Sequence, residues 1–117
     1  MAGRQGAARR GGTGAALIVR VHHLDGARRA LAEAPDALLV TAPDIAHFAG
    51  VGFWRAVERE LGCGIVLDCA DDAGLVMAAL REGLRDILFV GRADVADRLA
   101  AMAAAHGGRL RRSLDPA

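Results

Sequence analysis

The chain has no lysine and no tyrosine; its aromatic residues are three Phe and one Trp. All 15 basic residues are therefore arginine. Without lysine there is no Schiff-base nucleophile, no anchor for pyridoxal phosphate and no Walker-type phosphate lysine. Any chemistry here must use Asp, Glu, His, Cys, Arg or backbone groups. Net charge is scarce as well, at +1 from 15 basic and 14 acidic residues. That balance gives no general attraction to nucleic acid or to an anionic membrane. Cysteine is limited to Cys63 and Cys69, a spacing that fits neither a zinc site nor a thioredoxin-like motif. On either side of a strand they would stand roughly 20 Å apart, too far for a disulfide. Free thiols point to a reducing compartment, and the N-terminus lacks the apolar stretch of a secretory signal. No apolar run approaches the roughly 18 residues of a membrane span. A cytoplasmic location is expected.

What is abundant is alanine and short aliphatic runs. The 117 residues suffice for one domain, and 53% of them are hydrophobic. Much of that share is alanine, which buries little area and leaves burial for a partner chain to supply. Residues 1–14 carry Arg4, Arg9 and Arg10 among Gly and Ala, with no large apolar residue beyond Met1. A disordered basic tail is expected there, followed by a single α/β domain over residues 15–117.

Four times an aliphatic run stops at polar residues and gives way to an amphipathic, alanine-rich segment. The runs are Leu17–Val21, Ala37–Val40, Ile65–Leu67 and Ile87–Val90. This is the pattern of successive βα units with parallel strands. Helices are expected at about Gly26–Ala34 (capped by Asp25), Phe53–Leu61, Ala73–Glu82 and Val95–His106. In the second, Phe53, Val57 and Leu61 are expected to form the buried stripe. Asp44–Gly52 reads as the longest loop. Arg109–Leu114 reads as a fifth strand, its charges suiting an edge. Two architectures fit four or five such units. One is an open, doubly wound parallel sheet of the flavodoxin-like or Rossmann-like kind; the other is a partial (βα) barrel completed by a second chain.

Residues Asp71–Gly91 carry a further pattern. An amphipathic helix ends in Ala79-Leu80-Arg81-Glu82-Gly83, and the next strand closes on Gly91. This cadence resembles (βα)-barrel aldolases and related phosphate-binding barrels. The resemblance covers about a fifth of the chain. It implies a fold and a Gly91 that faces a phosphate, but not aldol chemistry, because the catalytic lysine of those aldolases has no counterpart.

Parallel units deliver the residues after each strand to one edge of the sheet, where open α/β folds place ligands. The candidate site residues follow from that. Asp68 lies at a strand end, too early to cap the next helix, and reads as a general base. With Asp44 or Asp94 it could instead hold a divalent cation. Asp71 and Asp72 read as helix caps. Cys69, beside three aspartates, reads as a small buried side chain and not a nucleophile. His22 and His23 point to opposite faces, and His23 with Asp25 or Asp68 could do acid–base work near neutral pH. His47, Phe48, Gly50 and Gly52 form a flexible connection that could meet an anion. Gly91 and Arg92 could hold a carboxylate or phosphate. Trp54, at a helix start, is expected to be partly exposed as an oligomer contact.

Two functions remain. The first is a non-catalytic domain that associates with itself or with a partner. The alternative is binding of a small anionic or phosphorylated ligand at the strand carboxyl edge by Asp68, Arg92, Gly91, Asp44 and His47. In that case Asp68 or His23 would be the catalytic base.

Overall fold

A computed structural model describes residues 17–115. The expected basic tail at residues 1–14 lies outside the described residues. The elements run β1 (Ile18–Val21), α1 (Leu24–Glu33), β2 (Leu38–Thr41), α2 (Ile45–Ala49) and α3 (Val51–Leu61). They continue with β3 (Leu67–Asp68), α4 (Ala73–Glu82), β4 (Asp86–Leu88), α5 (Ala93–Ala105) and β5 (Arg109–Arg111). Every strand pairing is parallel. β1 and β2 form one sheet, and β3, β4 and β5 form a second, in chain order. A single parallel bridge, Val40 to Val66, links the two.

Side chains alternate across these strands, and the two faces meet different surroundings. Val21, Leu39, Ile65, Leu67, Ile87 and Phe89 pack in one core with residues from all four longer helices: Ala27 of α1, Trp54 and Val57 of α3, Val76, Ala79 and Leu80 of α4, and Ala96, Leu99 and Ala103 of α5. Val40, Val66 and Leu88 point the other way and gather with Leu38 and Leu114 in a separate cluster. The longer helices thus cover one face. They also lie side by side in chain order: Arg28 of α1 bonds Glu60 of α3 at 3.1 Å, α3 packs on α4, and α4 on α5. A doubly wound sheet needs helices on both faces, and the described helices do not provide that.

Several elements depart from the sequence reading. α1 starts at Leu24 and is capped by His23, whose Nδ1 accepts from Gly26 N at 2.9 Å. Asp25 therefore lies in the first turn and is not the cap. The expected loop over Asp44–Gly52 holds the five-residue α2 and the start of α3, separated by Gly50 at φ 85°. Beginning α3 earlier turns its buried side to Trp54, Val57 and Glu58, leaving Phe53 42% exposed. Trp54 is fully buried, edge-on to Phe53 with ring centroids 5.0 Å apart. The expected partly exposed tryptophan contact is therefore a core residue. β5 stops at Arg111 and does occupy an edge, held to β4 by paired bonds from Arg111 to Asp86 at 2.7 and 2.9 Å.

Among the described residues, Glu58 is the one buried acid on a helix. Its Oε2 accepts from Ile65 N at 2.9 Å and its Oε1 from Arg55 at 3.2 Å, so it ties α3 to the strand entry. Burial is the larger influence and pushes its carboxyl above the usual value of 4.5, against those two donors. The folded chain then holds this proton more tightly than the unfolded chain. Its contribution to stability is full below the unfolded-state pKa and is lost as pH rises through the higher folded-state value. Glu58→Gln is expected to flatten that decline, read from urea midpoints at stepped pH. An unchanged slope would show that Glu58 is not the group responsible.

Candidate functional site

The carboxyl ends of the strands bring together a bonded group that centres on Asp68. Parallel register sets β1, β2 and β3 side by side, so Arg20, Thr41 and Asp68 come from three successive strands. Arg20 donates from Nη1 to Asp68 Oδ2 at 2.6 Å and to the Thr41 carbonyl at 2.8 Å. Thr41 Oγ1 accepts from Asp68 N at 2.9 Å, and Asp68 Oδ1 accepts from Ala70 N at 2.9 Å. Asp68 is 7% exposed. Burying a carboxylate is costly unless it is paired and hydrogen-bonded, and these contacts supply both. Asp68 makes no hydrogen bond to Arg92 or His23 among the described residues.

The turn after Asp68 is unusual. Ala70 adopts φ 51°, a left-handed conformation that alanine rarely takes. It is pinned from both sides, its N–H by Asp68 and its carbonyl by Val90 N at 2.8 Å. Asp44, after β2, is the other non-glycine residue at positive φ among those described, at 69°. Both therefore lie at the strand carboxyl edge.

The remaining candidates are engaged locally. Asp72 caps α4, its Oδ1 accepting from Leu75 N at 3.0 Å, while Oδ2 bonds His47 Nε2 at 3.0 Å. The cap bond and then His47 hold its carboxyl below the usual range. His47 is the last-turn residue of α2, so this pair fastens α2 to the start of α4. Asp71 is exposed and Cys69 is buried. Burial, with Asp68 and Asp72 adding to it, pushes the Cys69 thiol up to about 12, so it stays protonated and unreactive. Cys63 is exposed and free, and its thiol is also raised, chiefly by desolvation. His23 is occupied as the α1 cap. Arg92 forms paired bonds with Asp94 at 3.0 and 2.7 Å. Gly91 is explained by packing: a Cβ there would come within 2.4 Å of the Phe89 ring. No cluster of three or more His, Cys, Asp or Glu positioned for a metal ion occurs among the described residues.

The sequence reading missed Arg20. An arginine in mid-strand looks like a solvent-facing position, and only the strand register shows that its partner is Asp68. No protein-family model, curated protein or solved structure matches the chain.

Proposed function

We propose that this chain is a non-catalytic α/β domain that acts by associating with a second copy of itself. Exposure carries the reading: Phe48 is 89% exposed, Leu17 61% and Val90 56%. Single apolar residues on a surface are ordinary, but aromatic rings are enriched where a surface meets a partner, and Phe48 is such a ring. The chemistry of the carboxyl edge points the same way. Asp68 is neutralised by Arg20, Cys69 is held as a thiol, and His23 and Asp72 cap helices. The fold adds support. We read the two sheets and their bridge as one singly wound layer, a half-barrel arrangement. Parallel sheets are usually covered on both faces, and here the longer helices cover one. The near-zero net charge favours a protein partner over nucleic acid or membrane. No described helix is long and apolar enough to cross a membrane. We place the protein in the cytoplasm because both cysteines are free. Light scattering over a dilution series is expected to show a mass of two or more chains that falls on dilution. A single-chain mass at every concentration would overturn the reading.

A second reading has one observation in its favour. Strained backbone gathers at functional edges, and both Asp44 and Ala70 sit there in left-handed conformations. A small anionic or phosphorylated ligand bound between them would raise the melting temperature. Screening phosphorylated metabolites by thermal shift tests this, and no shift across the panel would remove it.

A further inference from the structure

Among the described residues β1 pairs on one side only, with β2. The Leu17 carbonyl accepts from Leu38 N and the Val21 carbonyl from Ala42 N, both at 2.8 Å. Alternate residues of a parallel strand bond to the same side, so Leu17, Val19 and Val21 serve β2. The peptide groups of Ile18, Arg20 and His22 point outward from the sheet. Along that edge, between β1 and α1, runs a groove of about 310 Å³. α1 lines it with Gly26, Arg29, Ala30 and Glu33, a single helical stripe at i, i+3, i+4 and i+7. Two of these residues are small. The other two carry opposite charges, and neither side chain has a hydrogen bond or ion pair among the described residues.

We propose that a second copy of this chain docks on this edge about a twofold axis, β1 against β1 and α1 against α1. The inference rests on the self-association reading above and names its surface. An antiparallel β1–β1 seam gives the outward N–H and C=O groups partners, which an unprotected edge otherwise lacks. A twofold also reverses the stripe on α1. Arg29 then faces Glu33 of the partner subunit, and Glu33 faces Arg29 of the partner subunit, so one stripe yields two ion pairs. Gly26 and Ala30 between them let the two helices approach closely. Arg20 brings no net charge to the seam because Asp68 already neutralises it. His23 Nδ1 is taken by Gly26 N, leaving His22 as the other imidazole lining the groove. Leu17 and Ile18, 61% and 40% exposed, lie on the same edge and become covered. Four strand residues span only about 13 Å, little towards the roughly 800 Å² per partner of a standard interface. α1, about 15 Å long, supplies the second half of the contact.

The test uses the full chain. Light scattering and sedimentation give the dimer constant, and hydrogen exchange reads the Ile18 and Arg20 amides. Arg29→Glu and Glu33→Arg each set like charges across the axis and are expected to weaken the dimer roughly tenfold or more. The double swap, Arg29→Glu with Glu33→Arg, restores opposite charges and is expected to recover the wild-type constant. Ile18→Pro removes an outward N–H without touching the bonds to β2 and is expected to give a monomer. Should that variant misfold, the exposed charge swaps decide alone. The Ile18 and Arg20 amides are expected to exchange slowly in the dimer and quickly on dilution. A dimer indifferent to both single swaps, with those amides exchanging freely, overturns this interface while leaving self-association through another face. Single swaps that weaken the dimer without rescue by the double swap overturn the twofold arrangement. A monomer at every concentration overturns both this inference and the reading it rests on.

Discussion

Trp54→Ala is expected to lower the unfolding free energy by about 3–5 kcal/mol, measured as a shift in urea midpoint. A domain of this size has only about 5–15 kcal/mol in total, so the change removes roughly a fifth of its stability or more. The cause is volume. Trp54 is the largest fully buried side chain, and the alanine-rich helices around it have few large groups to close the cavity. Its indole N–H is buried without a hydrogen-bond partner among the described residues. Trp54→Phe discards that orphaned donor and keeps most of the ring, so it is expected to cost well under half as much. A loss below about 1 kcal/mol for Trp54→Ala would show that the ring is not enclosed. Where the alanine variant still folds, its oligomeric mass should match the wild type, since Trp54 does not reach the surface.

The second large effect is expected at Asp68. Asp68→Ala strands Arg20, frees the Ala70 N–H and removes the brace on a left-handed alanine. Breaking a buried ion pair from one side costs about 3–5 kcal/mol. The Arg20 side chain is 36% exposed and can recover some hydration, so the loss should lie near the lower bound. Asp68→Asn keeps the shape and an acceptor for Ala70, and should cost less. A double-mutant cycle of Arg20→Ala with Asp68→Ala isolates the pair, with a coupling of about 1–3 kcal/mol expected. Additive losses would mean that the two side chains act separately and that the carboxyl edge lacks this anchor.

The fold and the carboxyl edge are legible in the sequence to different degrees from residue to residue. The strand positions and the bounds of α4 were readable because each is a local pattern: an aliphatic run, an Asp at the cap, a glycine at the stop. The Asp72 cap and the edge place of β5 came from the same kind of signal. The phase of α3 was not readable. Two helical stripes were available, and the one with Trp54 won despite carrying Glu58, because Ile65 N and Arg55 satisfy that carboxylate. His23 as a cap was hidden by chemistry, since a ring nitrogen does here what Ser, Thr, Asp or Asn usually does. α2 was hidden by length, as five residues show too little periodicity to separate helix from loop. Arg20 and Asp68 are 48 positions apart, and nothing local marks them as partners.

Each strand finds its neighbour in the next strand along the chain, and each helix lies beside its immediate successor of comparable length. The fold can therefore grow in the order in which the ribosome releases it, every new unit settling on a platform already made. Closing loops of one unit at a time demands little entropy, which favours rapid folding for a parallel sheet. Among the described residues it also leaves the two outer units, α1 with β1 and α5 with β5, each with a neighbour on only one side. Opening at either outer unit would disturb the least, so fraying should begin there and travel inwards towards β3.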